Sequence, residues 1–246
     1  MTIPTLIPLT HLGLLKVSGP DAASFLQGQL SSDIRLLTPN THQLAVFCNR
    51  QGRVLALMDI FSLAEHEYFL VLPLEILQNI RQQLQKYIVF SKAQIEDVSV
   101  EYSGIALLNA SPTSSAEMIC LRSTPDAPVQ LWGKQTQIKV YIHEHPHTLG
   151  SLNDFLLAQM RAHVPLIGVA QTEQFLPHPL GLVTIGAINF KKGCFVGQEI
   201  IARMQYRTTV KKHLQFGECL GRPHSIENIV NMLEFAPDRY ALLMIV

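Results

Sequence analysis

Lys192-Gly193-Cys194-Phe195-Val196-Gly197-Gln198-Glu199 lies between an apolar run, Val183 to Phe190, and a segment that reads as helix from Gln198 to Met204. The run reads as a strand, so the cysteine falls at a strand-to-helix junction. The first N–H groups of a helix are unpaired and carry partial positive charge, which favours a thiolate. Lys191 and Lys192 push in the same direction, and Gly193 and Gly197 leave the backbone around the sulfur open to a ligand. These residues describe a cationic, glycine-hinged pocket with a reactive thiol, Cys194.

Outward from that stretch, the 246 residues suffice for one large domain or two small ones with a substantial core. Hydrophobic residues make up 48% and charged residues 15%, which excludes a disordered chain. The formal net charge is zero, so any nucleic-acid contact must rest on a local patch. Cys48, Cys120, Cys194 and Cys219 form no C-x-x-C pair, which argues against a structural zinc site. Met1 to Thr10 lacks the basic and apolar regions of a signal peptide, and no apolar run is long enough to span a membrane. A reducing, cytoplasmic setting is expected.

Along the chain, Gly13 to Val17 reads as a strand, and Asp21 caps a helix from Ala22 to about Leu30. Leu44 to Cys48 and Arg53 to Ser62 form a hairpin around Asn49-Arg50-Gln51-Gly52. Tyr68 to Leu72 is a strand, and Pro73 opens a helix from Leu74 to Tyr87. Gln94 to Val98, Ile105 to Leu108, Ile119 to Leu121 and Gln137 to Ile142 read as further strands, with Ser111 to Ser115 a polar loop. Leu149 to His163 reads as a helix, Val164 to Leu182 as a long irregular segment, and Tyr240 to Val246 as a strand. The order predicts an α+β fold.

Four blocks together carry a family resemblance: Val17-Ser18-Gly19-Pro20-Asp21-Ala22 with Phe25-Leu26-Gln27-Gly28-Gln29; Cys48 to Arg53; Lys86 to Lys92; and the cysteine motif continued by Ala202-Arg203 and Tyr206-Arg207. Over about residues 5 to 220 the chain resembles the folate-binding YgfZ proteins, relatives of the aminomethyltransferase (T-protein) of glycine cleavage. The resemblance implies an aminomethyltransferase-like fold, with subdomains around a central folate channel. It divides the chain into a folate-binding domain, 1–207, of two α+β lobes (about 1–100 and 101–207), and an abridged C-terminal β segment, 208–246. It also implies tetrahydrofolate or a one-carbon derivative as ligand, and a role in maintaining iron–sulfur enzymes, including one that modifies tRNA. Two departures stand out. At the position of the T-protein's catalytic aspartate this chain has Ala56 and Leu57, with Asp59 nearby but placed differently by strand alternation. Where the family has P-Q-x-x-N-L, it reads Pro177-His178-Pro179-Leu180-Gly181-Leu182.

Cys194 is therefore the expected functional thiol, while Cys48, Cys120 and Cys219 read as small buried hydrophobes. Lys192, Gly193 and Gly197 are expected around the ligand, Lys192 as partner of a carboxylate such as folate's glutamate tail. Gln198 and Glu199 either stabilise the first helical turn or match the N–H edge of a pterin. Arg203 and Arg207 share a helical face and form either a solvated stripe with Lys211 and Lys212 or a rim for the polyglutamate tail. Direct tRNA contact would rest on that short stripe. Arg53 is expected near the channel, and His143, His145 and His147 read as an exposed loop, so no metal is assigned. Three functions stay open: a folate-binding accessory protein for iron–sulfur enzymes, a folate-dependent one-carbon transferase, and a ligand-free interaction module.

Overall fold

The computed structural model describes residues 3–110 and 118–246; the expected loop at 111–115 lies outside them. In chain order the elements are β1 (Thr5–Pro8), β2 (Leu12–Ser18), α1 (Ala22–Gln29), β3 (His42–Cys48), β4 (Val54–Ala64), β5 (Glu67–Pro73), α2 (Leu74–Ile88), β6 (Gln94–Asp97), β7 (Tyr102–Leu108), β8 (Met118–Leu121), β9 (Val129–Lys134), α3 (Gln135–Glu144), β10 (Thr148–Leu149), α4 (Leu152–Arg161), α5 (Gln198–Arg207), β11 (Leu214–Leu220), β12 (Ile229–Ala236) and β13 (Arg239–Ile245).

Three sheets result, in the orders β3-β4-β5-β2-β6, β10-β1-β7-β9-β8 and β11-β13-β12. The fold is α+β, as expected. The first strand of the chain, β1, belongs to the second sheet, where it pairs antiparallel with β7. The long hairpin β3–β4 forms one side of the first sheet, with β3 at its edge. Nearly every residue of β4 is buried because both of its faces are covered. On one side α2 lays down Ile76, Leu77, Ile80 and Leu84, a helical stripe that fills the core with α1. On the other side Leu44, Val46, Val54 and Leu57 meet the 160–201 segment and the third sheet.

Several local expectations change. Gln137 to Ile142 is part of helix α3, not a strand. Its apolar residues alternate, but Ile138 is buried, Tyr141 and Ile142 pack with it, and Val140 is 54% exposed, which is helical spacing. Val183 to Phe190 is turn and irregular chain with no strand, so Cys194 lies between irregular chain and a helix rather than after a strand. Asp21 precedes α1 without capping it; its carboxylate accepts from the Lys92 backbone N–H at 2.7 Å. Residues 208–213 are not strand, and β9 and β12 were not anticipated. Ser151 and Asp154 form a reciprocal capping box that starts α4.

Candidate functional site

The cysteine loop is a clamp. Lys192 is buried, and its ammonium donates to the carbonyls of Gln27, at 2.7 Å, and Leu30. These carbonyls belong to the end of α1, where acceptors lack helical partners and the dipole favours a cation. Lys192 also lies 5.2 Å from the ring centre of Phe195. Burial pulls its pKa down to about 8, opposed by the charge of Asp33 and assisted by that of Arg35. The expected carboxylate partner is thus corrected: this cation is committed to the protein's own backbone. The Val196 N–H donates to the Gly28 carbonyl at 3.3 Å, and Asn189 N–H to Ser31 at 2.9 Å, pinning the same loop to the same helix end.

Gly197 is corrected likewise. It precedes α5 at φ +81°, and a Cβ there would lie 2.5 Å from the Asn49 carbonyl oxygen and 3.0 Å from the Gly52 Cα. Only glycine allows that approach between loop and hairpin, so its backbone faces protein, not ligand. Gly193 is exposed with open space around it. The Arg53 guanidinium donates to the carbonyls of Gln174, at 2.7 Å, and Glu173. Gln198 Oε1 accepts from the Phe195 N–H at 3.3 Å. Glu199 is exposed and pairs with Arg203, one turn on, at 3.1 Å. Arg207 is exposed, as are Lys191, Lys211 and Lys212. Cys194 itself is exposed, a free thiol between the pinned residues Lys192 and Gly197. Cys48 is its opposite: burial pushes that thiol up to about 12.

A cavity lies elsewhere, where the three sheets meet. Its volume is about 120 Å³, and it is open to solvent on one side. Its walls come from β3, β4 and β5, from β9, from α4 and the 164–167 segment, and from β12. None of the nine residues expected at the site lines it. The polar groups that do are scattered along the chain. Contrary to the expectation that alternation would place it differently, Asp59 shares the Leu57 face of β4, two residues on, and lines the cavity with it. Its carboxyl accepts from Ser123 Oγ at 3.1 Å and from Gln130 Nε2 at 3.4 Å. The Trp132 indole N–H donates to Gln130 Oε1 at 3.1 Å, which fixes the amide's orientation. Burial raises the Asp59 pKa to about 6 against these two hydrogen bonds.

His11 stands at another part of the wall, its ring 5.5 Å from that of Phe155 and its carbonyl accepting from the Leu74 N–H. Both of its ring nitrogens are buried without a partner, as is Gln159 Oε1. Burial lowers the His11 pKa to about 4, leaving the imidazole neutral near pH 7. Asp59 was the one legible signal among these: a charge inside an otherwise apolar strand. His11, Ser123, Gln130 and Gln159 share no spacing that a sequence motif could carry. The three histidines at 143–147 do not converge; His145 caps the end of α3 with its Nδ1 2.9 Å from the Tyr141 carbonyl. Among the described residues no group of three or more His, Cys, Asp or Glu is placed to hold a metal ion, and no helix is long and apolar enough to cross a membrane.

The profile of the GCVT N-terminal domain matches residues 4–122. The tRNA-modifying protein YgfZ of Photorhabdus laumondii is 31% identical over 231 residues, covering 86% of this chain and 70% of that protein. The chain belongs to the YgfZ family. The YgfZ protein of Yersinia pestis is 29% identical over 231 residues, covering 85% of this chain and 69% of its own length. Among solved structures, the glycine cleavage system aminomethyltransferase T of Bartonella henselae superposes with a TM-score of 0.74 over the whole chain and 78% of its own. At 15% identity that likeness fixes the aminomethyltransferase fold of this YgfZ chain and nothing finer.

Proposed function

We propose that this chain is a folate-binding accessory protein of the cytoplasm that supports iron–sulfur cluster assembly or repair and, through such enzymes, tRNA modification. The observation that carries the reading is the cavity at the junction of the three sheets, apolar in its walls with unpartnered polar atoms on His11 and Gln159. Apolar walls with a few converging polar groups fit a flat, nitrogen-rich heterocycle such as the pterin of tetrahydrofolate or a one-carbon derivative. Bound there, a folate would supply one-carbon chemistry. The chain's own residues would hold it: Asp59, Gln130, His11 and Gln159 against its polar edge, and the walls of β3–β5 and α4 around the ring.

Cys194 acts outside that cavity in this reading. Its thiol stands exposed on a loop held by Lys192 and Gly197, so a partner protein's thiol or persulfide can reach it without rearrangement of the fold. The exposed Arg203, Arg207, Lys211 and Lys212 would offer an acidic partner or tRNA a landing surface. The test is complementation. Cys194→Ser protein should fold and bind tetrahydrofolate, yet leave iron–sulfur enzyme activity unrestored in cells lacking the native protein. Full restoration would remove the thiol from the function.

The buried carboxyl of Asp59 favours a second reading, a folate-dependent one-carbon transferase, because a group near neutrality can move a proton. Folate-dependent turnover with glycine-cleavage components, abolished by Asp59→Asn, would establish it.

A further inference from the structure

We propose that Asp59 receives the N–H-donating edge of the ligand's heterocycle in the central cavity, a role that the sequence left open for Glu199; the inference rests on the reading of that cavity as a folate site. A carboxyl inside an apolar sheet is costly unless something compensates it. Here two donors, Ser123 Oγ and Gln130 Nε2, reach it, the second already aligned by Trp132. A carboxylate offers about four acceptor positions, so capacity remains. Burial outweighs the two bonds and holds the pKa at about 6. A carboxyl in that state is under-compensated until a ligand donates to it.

The rest of the cavity points the same way. Gln159 Oε1 is a buried acceptor without a donor, and the neutral imidazole of His11 presents one further acceptor and one donor, both unused. N–H groups on a ligand would satisfy the open acceptors on Asp59, Gln159 and His11. The fitting class is a planar ring with adjacent ring N–H and amino groups, an aminopyrimidinone edge, which meets a carboxylate in bidentate fashion. Glu199 is outside the cavity and paired with Arg203.

Few other charges bear on Asp59. His11 is the other titratable side chain lining the cavity among the described residues. On the flanking elements, burial lowers the pKa of His42 of β3, whose Nε2 accepts from the Arg122 N–H, while the Arg122 guanidinium donates to the Pro125 carbonyl. β5, β9, α4 and β12 present only uncharged groups to the cavity. Of the two titratable groups that line the cavity, Asp59 is therefore the one that changes charge between pH 5 and 7.5.

The test is calorimetric titration with 5-formyltetrahydrofolate across that range. Wild-type affinity should fall about tenfold from pH 7.5 to pH 5, because one unit below its pKa only about a tenth of the carboxyl is ionised. Asp59→Asn, which can keep the Ser123 and Gln130 contacts, should melt as a folded protein, bind about tenfold more weakly at pH 7.5, and lose the slope. Glu199→Gln should bind as wild type does. An Asp59→Asn variant with unchanged affinity and slope, or a Glu199→Gln variant that loses affinity, overturns the inference and leaves the folate reading standing. Wild-type protein without saturable binding at any pH overturns both.

Discussion

The cysteine loop and the central cavity use similar side chains in opposite ways. In the loop the polar groups are engaged with the protein: Lys192 with the end of α1, Gln198 with the Phe195 N–H, Glu199 with Arg203. In the cavity His11 and Gln159 keep buried polar atoms without partners, and Asp59 is only partly compensated. The loop is contiguous in sequence because it is one packed unit, clamped between helix and hairpin. The cavity is dispersed because three sheets must converge to make it. A dense motif thus marks where the chain is held rigid, while room for a ligand is found by looking for polar groups left over.

The largest effect that would break this contrast concerns Gly197. Gly197→Ala should lower unfolding free energy by about 3 kcal/mol, since it adds left-handed strain to a backbone clash. Urea denaturation showing less than about 1 kcal/mol would mean that the loop is not clamped against the hairpin.

Next comes Asp59. Its folded pKa is raised, so the folded state binds the proton more tightly than the unfolded chain does. Stability is then greatest below pH 4 for this group and is lost as pH rises toward 6. Asp59→Asn should therefore raise stability at pH 7.5 by about 2 kcal/mol and remove that pH dependence. A variant less stable than wild type at pH 7.5 would show the carboxylate to be fully compensated.

Lys192→Met keeps the stem's packing but leaves two helix-end carbonyls without their donor, and should cost about 1.5 kcal/mol without weakening folate binding. Weakened binding at unchanged stability would return Lys192 to the ligand. Smallest of all, Cys194→Ser should shift stability by less than about 0.5 kcal/mol, as expected for an exposed side chain. A larger loss of thermal stability would make the thiol a packing residue.

Much of the fold was legible where local signals agree. The β3–β4 hairpin, α1, α2 and α4 carry clear turn and periodicity cues. The error at Gln137 to Ile142 arose because alternation in a short segment fits two periods, and only packing under β7 and β9 selects the helix. β9 and β12 were not legible, their status as strands depending on partners distant in the chain. At the site, sequence located the loop and its thiol but misread Lys192 and Gly197, because the α1 end and the hairpin they serve lie more than a hundred residues away. Asp59 could be seen as an odd charge in an apolar strand; its neighbours Ser123 and Gln130 come from another sheet's strands and turns.

The most direct test is a crystal structure with 5-formyltetrahydrofolate bound. The heterocycle should lie between β4, α4 and β12 with its N–H edge on Asp59 and with Cys194 outside the site. Density for the ring against Lys192 and Glu199, with the cavity at Asp59 unoccupied, would contradict it.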